Sequence, residues 1–249
     1  MKKIFMFVTA MVTLVSCTFS SNLDSEGYAE ETRKIEGFNQ IQVVGSPTVI
    51  YTQGNKYEVR VRVPNSDDPF KQVKTELQGD RLVVSLRSQV NLFGIGGKST
   101  RVVVYVTSPD LIGVEVAGSG DFKSDKPIDT DNISLAVKGS GDLSIDGHLI
   151  CDNVKMTVTG SGDLEVKNLE ALTNDVTLVG SGDMEVRQSK VGSTRVRLTG
   201  SGDIKIDCRD CGSVDSNLTG SGDISITGTV RNVNKSKAGS GDYHLDIRR

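Results

Sequence analysis

The sequence predicts an all-β chain, a single-stranded parallel β-helix (β-solenoid) of about 20 residues per coil, expected to wind right-handed. Three observations predict it. The tetrad Gly-Ser-Gly-Asp returns seven times, starting at Gly118, Gly139, Gly160, Gly180, Gly200, Gly220 and Gly239, so successive copies stand 19 to 21 residues apart. Around each copy apolar residues alternate with polar ones: in KMTVTGSGDLEV, Met156 and Val158 precede the tetrad and Leu164 and Val166 follow it. A period of two is the period of a strand. The composition agrees, with 27 Gly, only 5 Pro, and short runs of Val, Ile and Leu past the first segment, which suits strands joined by tight turns.

The chain opens with MKKIFMFVTAMVTLVSC: Lys2 and Lys3, an apolar run from Ile4 to Val15, then Ser16 and Cys17. The run is too short to span a bilayer and ends in small residues, as a secretory leader does. LVSC resembles the lipobox of bacterial lipoproteins, which implies a signal peptide over 1–16, cleavage before Cys17, and lipidation of Cys17 on its thiol and new amine. Several acyl chains hold a membrane far more firmly than one. By the same resemblance Thr18, rather than Asp, after the cysteine is compatible with sorting to an outer membrane. Residues 17–34 are polar with little apolar content and read as a flexible tether.

The remainder, 35–249, reads as one solenoid domain. Residues 35–117 are its degenerate N-terminal coils: VVGSPTVIY, Val43 to Tyr51, matches VAGSGDFKS in its Gly-Ser, with Thr48 in the Asp slot. Further strands are expected at Tyr57–Val63, Arg81–Arg87 and Arg101–Val106. Between the last two, the Gly-rich loop Ser88 to Thr100 carries Leu92, Phe93 and Ile95 and is expected to fold back over the solenoid's end rather than dock a partner. Residues 118–249 are the regular coils, and the inward phase recurs: Val176, Leu178, Met184 and Val186, then Val196, Leu198, Ile204 and Ile206, then Leu218, Ile224 and Ile226. One such unit cannot bury its own apolar face. Stacking successive units sets like on like at about 4.8 Å and buries all of them. A sandwich has no reason to repeat one tetrapeptide at one interval, and propeller blades need about 40 residues. In the last copy Lys237 stands where Leu178, Leu198 and Leu218 stood, which fits a final coil with nothing stacked beyond it.

With these features, and above all the serial tetrad after SPDLIGVEVAGSGD, residues 36–247 resemble the putative auto-transporter adhesin, head GIN domain family. The resemblance implies a β-helical fold and an adhesive role, and it carries no catalytic residue with it.

Chemistry is sparse in the remaining residues. By parity Ser119 and Asp121 of a tetrad face outward and Gly118 and Gly120 inward, so stacking aligns Asp121, Asp142, Asp163, Asp183, Asp203, Asp223 and Asp242 in one ladder. Two readings stand: a Ca²⁺ ladder, because carboxylates at a glycine turn are the ligands that cation prefers, or carboxylates satisfied by turn amides. Of the 4 cysteines, Cys208 and Cys211 form a CRDC pair, a candidate local disulfide or redox pair in an exported chain. Cys151 lies about three coils away, roughly 14 Å at the strand spacing, which argues against zinc. The 2 histidines, His148 and His244, are nearly five coils apart, so nucleophile and base triads have no material. The net charge of −3, and loss of Lys2 and Lys3 with the leader, argue against nucleic acid. With no Trp, 5 Tyr and 7 Phe, stacking platforms for sugars are few. The expectation is a noncatalytic lipoprotein, exported and lipid-anchored in the cell envelope, an adhesin or interaction scaffold with a protein or glycan partner and no cofactor beyond Ca²⁺. A polysaccharide-active enzyme or glycan-binding protein on a β-helix is the alternative.

Overall fold

The computed structural model of the chain describes residues 22–23, 27–65, 68–86 and 102–248. The leader, Cys17 and the loop expected to fold over the solenoid's end lie outside the described residues. The described chain is all-β, 0% helix and 74% strand, wound as a β-solenoid of about 7 turns with about 20 residues between them.

The tetrads set the register. Gly118, Gly139, Gly160, Gly180, Gly200, Gly220 and Gly239 pair in series, each directly over the last, and every ladder from Gly113 onward is parallel. In the strand Leu164–Gly180, Leu164 and Val166 point inward on the side after the turn, Leu169 and Ala171 on a short second side, and Asn174, Val176 and Leu178 on the third. Neighbouring coils repeat these positions, so the core is a set of columns: Val137, Val158, Leu178, Leu198 and Leu218 form one, each buried. Full burial of such a side chain stabilises by roughly 1.5–3 kcal/mol, and the columns carry most of the fold's cohesion.

The repeat length is not constant, and one corner absorbs most of the variation. Register shifts fall between Ile145 and His148 and between Val166 and Leu169, on the corner between the first and second sides, and between Cys208 and Cys211, on the second side itself. The two non-glycine residues with positive φ, Lys190 and Asp210 (both φ 55), lie just beyond that corner.

At the N-terminal end the turn Gly45–Thr48 stacks beneath Gly118–Asp121, with Gly45 opposite Gly118 and Thr48 opposite Asp121. Around it the chain leaves the coil pattern. On one face Thr48–Gln53 pairs parallel with Val103–Ser108, which pairs antiparallel with Glu58–Pro64, and that in turn with Tyr28–Arg33. On the other, Gln40–Gly45 pairs parallel with Arg81–Leu86, which pairs antiparallel with Val73–Gln78. The tether expected over 17–34 therefore stops short: Tyr28–Arg33 is a strand, with Ala29 and Glu31 buried. Its acids misled because they are paired. Arg33 meets Glu31 at 3.1 Å while bonding the Val73 carbonyl and the Thr75 hydroxyl, and Arg60 meets Glu30 at 3.1 Å.

At the C-terminal end Lys235 and Lys237 stand over Ser216 and Leu218 in the core columns. Lys237 Nζ turns to the Gly241 carbonyl at 2.6 Å and to Asp242 Oδ1 at 3.2 Å. Lysines in inward positions blunt an edge that would otherwise accept another strand.

Candidate functional site

Two features stand out from the coil stack: the column of GSGD turns and the corner where repeat length varies. In the turns the first glycine has φ between 127° and 138° in all seven copies, a backbone that L side chains rarely adopt. The second is excluded from bearing a side chain by its neighbour: a Cβ on Gly182 would lie 2.0 Å from the Gly162 carbonyl oxygen. The second glycine is buried, the serine exposed and the aspartate at the surface, as parity predicts.

Five of the seven ladder aspartates, Asp142, Asp163, Asp183, Asp203 and Asp223, serve the coil above them. The amide of Asp163 donates to Asp142 Oδ1 at 3.2 Å, that of Asp183 to Asp163 at 2.8 Å, that of Asp203 to Asp183 at 2.9 Å, that of Asp223 to Asp203 at 2.9 Å, and that of Asp242 to Asp223 at 2.7 Å. Asp121 accepts instead from the Thr48 hydroxyl at 3.3 Å. The chain needs this cap because the carbonyl of each of these aspartates turns back to the preceding coil, as Asp163 O does to Leu143 N at 3.0 Å. Repulsion between neighbouring carboxylates is about 1 kcal/mol in water, and a hydrogen bond to a charged group returns about 1.5–3 kcal/mol. The bond wins. The aspartates face amides rather than a common centre, and among the described residues no group of three or more His, Cys, Asp or Glu is set to hold a metal ion. Along the ladder these amides satisfy Oδ1, which supports the turn-amide reading of the aspartates.

The variable corner carries an open groove of about 860 Å³. Its lining advances one coil at a time through His148, Asn168, Gln188, Cys208, Gly228 and Arg248, a run of about 24 Å at the strand spacing. Lys167, Arg187, Arg209 and Arg248 place cations along it, with Glu170, Asp207 and Asp246 between them. Several of these charges are tied down: Lys167 to Asp146 at 2.8 Å, Arg187 to Glu185 at 2.7 Å, and Glu170 to Lys190 at 3.4 Å and His148 at 3.8 Å. The Lys167 ammonium and the Ser144 hydroxyl hold the Asp146 carboxyl below the usual carboxylate range, and Asp146 in turn raises Lys167. Lys190 does the same for Glu170.

Beneath the groove floor lies a polar pocket in the core. Gln188, 3% exposed, accepts from Asn174 Nδ2 at 2.9 Å and donates to Thr194 Oγ1 at 2.8 Å, with its Nε2 also 3.4 Å from Cys208 Sγ and 3.7 Å from Cys211 Sγ. Cys208 and Cys211 are free thiols, both buried. Their mutual hydrogen bond and burial push the Cys208 thiol well up, and the same bond with nearby backbone groups brings Cys211 down to about 6. Cys151 is buried apart from them, opposite Ala171, and burial pushes its thiol up to about 11. His244 sits at the other face, 3.8 Å from Asp223. The CRDC spacing signals the cysteine pair. Sequence reasoning missed Gln188, although counting one repeat back from Cys208 finds it. The groove has no motif at all.

Comparison with known proteins agrees with this architecture. A putative adhesin from Bacteroides fragilis superposes with a TM-score of 0.73 at 22% identity, covering 89% of this chain and 98% of that one. A putative adhesin from Parabacteroides distasonis gives 0.69 at 18% identity over 88% and 96%, and a putative lipid binding protein from the same species 0.67 at 22% over 90% and 98%. At these identities the likeness is one of fold. No curated protein matches the sequence. The family model described as putative auto-transporter adhesin, head GIN domain, matches residues 37–228 and 173–246. With most of its length matched and the coil stack in place, the chain belongs to that head GIN domain family.

Proposed function

We propose that this chain is a noncatalytic adhesin of the bacterial cell envelope, held by lipid on Cys17 at the outer membrane, with the corner groove as its docking surface for a protein or glycan. The observation that carries the reading is the groove itself: a charged channel crossing six coils, built on a stack whose other sides repeat. Cations and anions alternating over about 24 Å suit an extended polar partner better than a small molecule. Among the described residues no histidine, thiol or carboxylate set converges as a nucleophile with its base: His148 and His244 are on different faces and the three described thiols are buried. The LVSC leader supports export and anchoring, and family membership points the same way.

Binding of the purified protein to a panel of glycans and extracellular-matrix proteins tests this, with R187E/R209E as the groove variant and K155E, remote from the groove, as its control. Saturable binding without product, weakened about tenfold or more in the groove variant and unchanged in the control, is the expected result. Release of cleaved glycan would replace the reading with an enzymatic one.

A further inference from the structure

We propose that Cys208 and Cys211 are a dithiol preset by the fold to close into a disulfide at the groove floor. The two flank a lengthened stretch of the coil: Cys208 pairs with Gly228 and Cys211 with Val230, so four residues span what three span in the next coil. Asp210, in the left-handed region at φ 55, takes up the extra residue. Arg209 and Asp210 are thereby turned out and both sulfurs turned in, 3% and 2% exposed. A single amide nitrogen, Gln188 Nε2, lies 3.4 Å from Cys208 Sγ and 3.7 Å from Cys211 Sγ, and Cys211 Sγ also points to the Gln188 and Arg209 carbonyls at 3.8 and 3.6 Å. Leu149, Leu169, Cys151, Ala171 and Val230 fill equivalent inward positions in other coils, so packing there does not call for the amide that faces this pair.

Access is from one side: Cys208 is among the residues that line the groove, so the groove floor is the shortest way to the buried pair for a disulfide reagent. The oxidant is another disulfide, either of glutathione or of a thiol oxidoreductase such as exported chains meet. One protein thiolate attacks its sulfur, forms a mixed disulfide and releases one thiolate. The second protein thiolate attacks the mixed disulfide, forms the Cys208–Cys211 bond and releases the other. Two thiols are oxidised, one external disulfide is reduced to two thiols, and two protons pass to the released thiolates or to water. The preset geometry makes the second step fast, and the lowered Cys211 thiol supplies thiolate near neutral pH.

The sequence makes the test direct, because trypsin cuts after Lys205, Arg209 and Arg231 and so separates the two cysteines. Native protein is equilibrated with mixtures of oxidised and reduced glutathione, quenched with alkylating agent under denaturing conditions, and mapped without reduction. The expected result is that peptides 206–209 and 210–231 run as one linked species that separates on reduction. It forms at a glutathione ratio about tenfold or more less oxidising than the same chain needs in urea. Cys151 stays alkylated throughout. Separate alkylated peptides under oxidising glutathione, a glutathione adduct that never resolves to the linked species, or equal behaviour in urea would each overturn the proposal.

Discussion

Aspartate and glycine divide the work of a GSGD turn between them. The glycines let one coil lie on the next at a corner where a Cβ has no room, and the aspartate caps the amide that the reversed carbonyl leaves unpaired. An amide oxygen can make that cap as well as a carboxylate, so charge is dispensable and the acceptor is not. We therefore expect D183A to lower stability by about 1–3 kcal/mol, with D183N within about 0.5 kcal/mol of the parent, measured by urea unfolding. Added Ca²⁺ should leave the parent's midpoint unchanged; a Ca²⁺-dependent gain abolished in D183N would mean that the carboxylate holds a cation instead. At this scale the sequence was half legible. Identical tetrads exposed the ladder, and Thr48 in the Asp slot already showed that the turn forms without a carboxylate, although its hydroxyl donates to Asp121 rather than accepting that residue's amide. What no single repeat displays is that the acceptor serves the following coil, because that contact exists only once register is set.

Between elements, charge pairs tie one coil to the next across the corner that absorbs changes in repeat length. Lys167 reaches Asp146 at 2.8 Å from one coil to its neighbour, and this holds the Asp146 carboxyl below its ordinary range. A carboxyl whose pKa is lower folded than unfolded stabilises the fold above the unfolded value of about 4, and that contribution fades as pH falls through the folded value. K167M should accordingly unfold at lower urea than the parent at about pH 7, and the gap should close at about pH 2. Both groups are substantially exposed, so the gap is small. A gap that persists in acid would assign the effect to the lysine's packing. Sequence reading did not reach this corner: coils of 19, 20 and 21 residues gave the period, whereas the register shifts that go with them, at Ile145/His148 and further on at Cys208/Cys211, show only once coils are paired. Tyr28–Arg33 failed for another reason. Its glutamates looked solvated because their partners, Arg33 on the same strand and Arg60 thirty residues away, gave no local signal.

As a whole the molecule is a stack in which each coil touches only its neighbours, closed by an antiparallel cap at one end and by Lys235 and Lys237 at the other. Such a stack tolerates loss of a unit. Deleting residues 181–200 joins Gly180 to Ser201 in register and should leave a cooperatively melting β protein of lower melting temperature; a chain that melts without cooperativity would show that the coils are not interchangeable. The regular half of this architecture was readable because its period, tetrad and alternation agree, and the cap was not, because its antiparallel pairs join distant segments with no repeat to relate them. An adhesin, as proposed above, must present its groove outside the cell. Labelling intact cells with a membrane-impermeant amine reagent tests that most directly, since Lys155 and Lys205 are exposed on the coils. The account predicts labelling of both lysines on intact cells at the level seen after the outer membrane is permeabilised, with a periplasmic control unlabelled; lysines labelled only after permeabilisation would place the protein inside and contradict it.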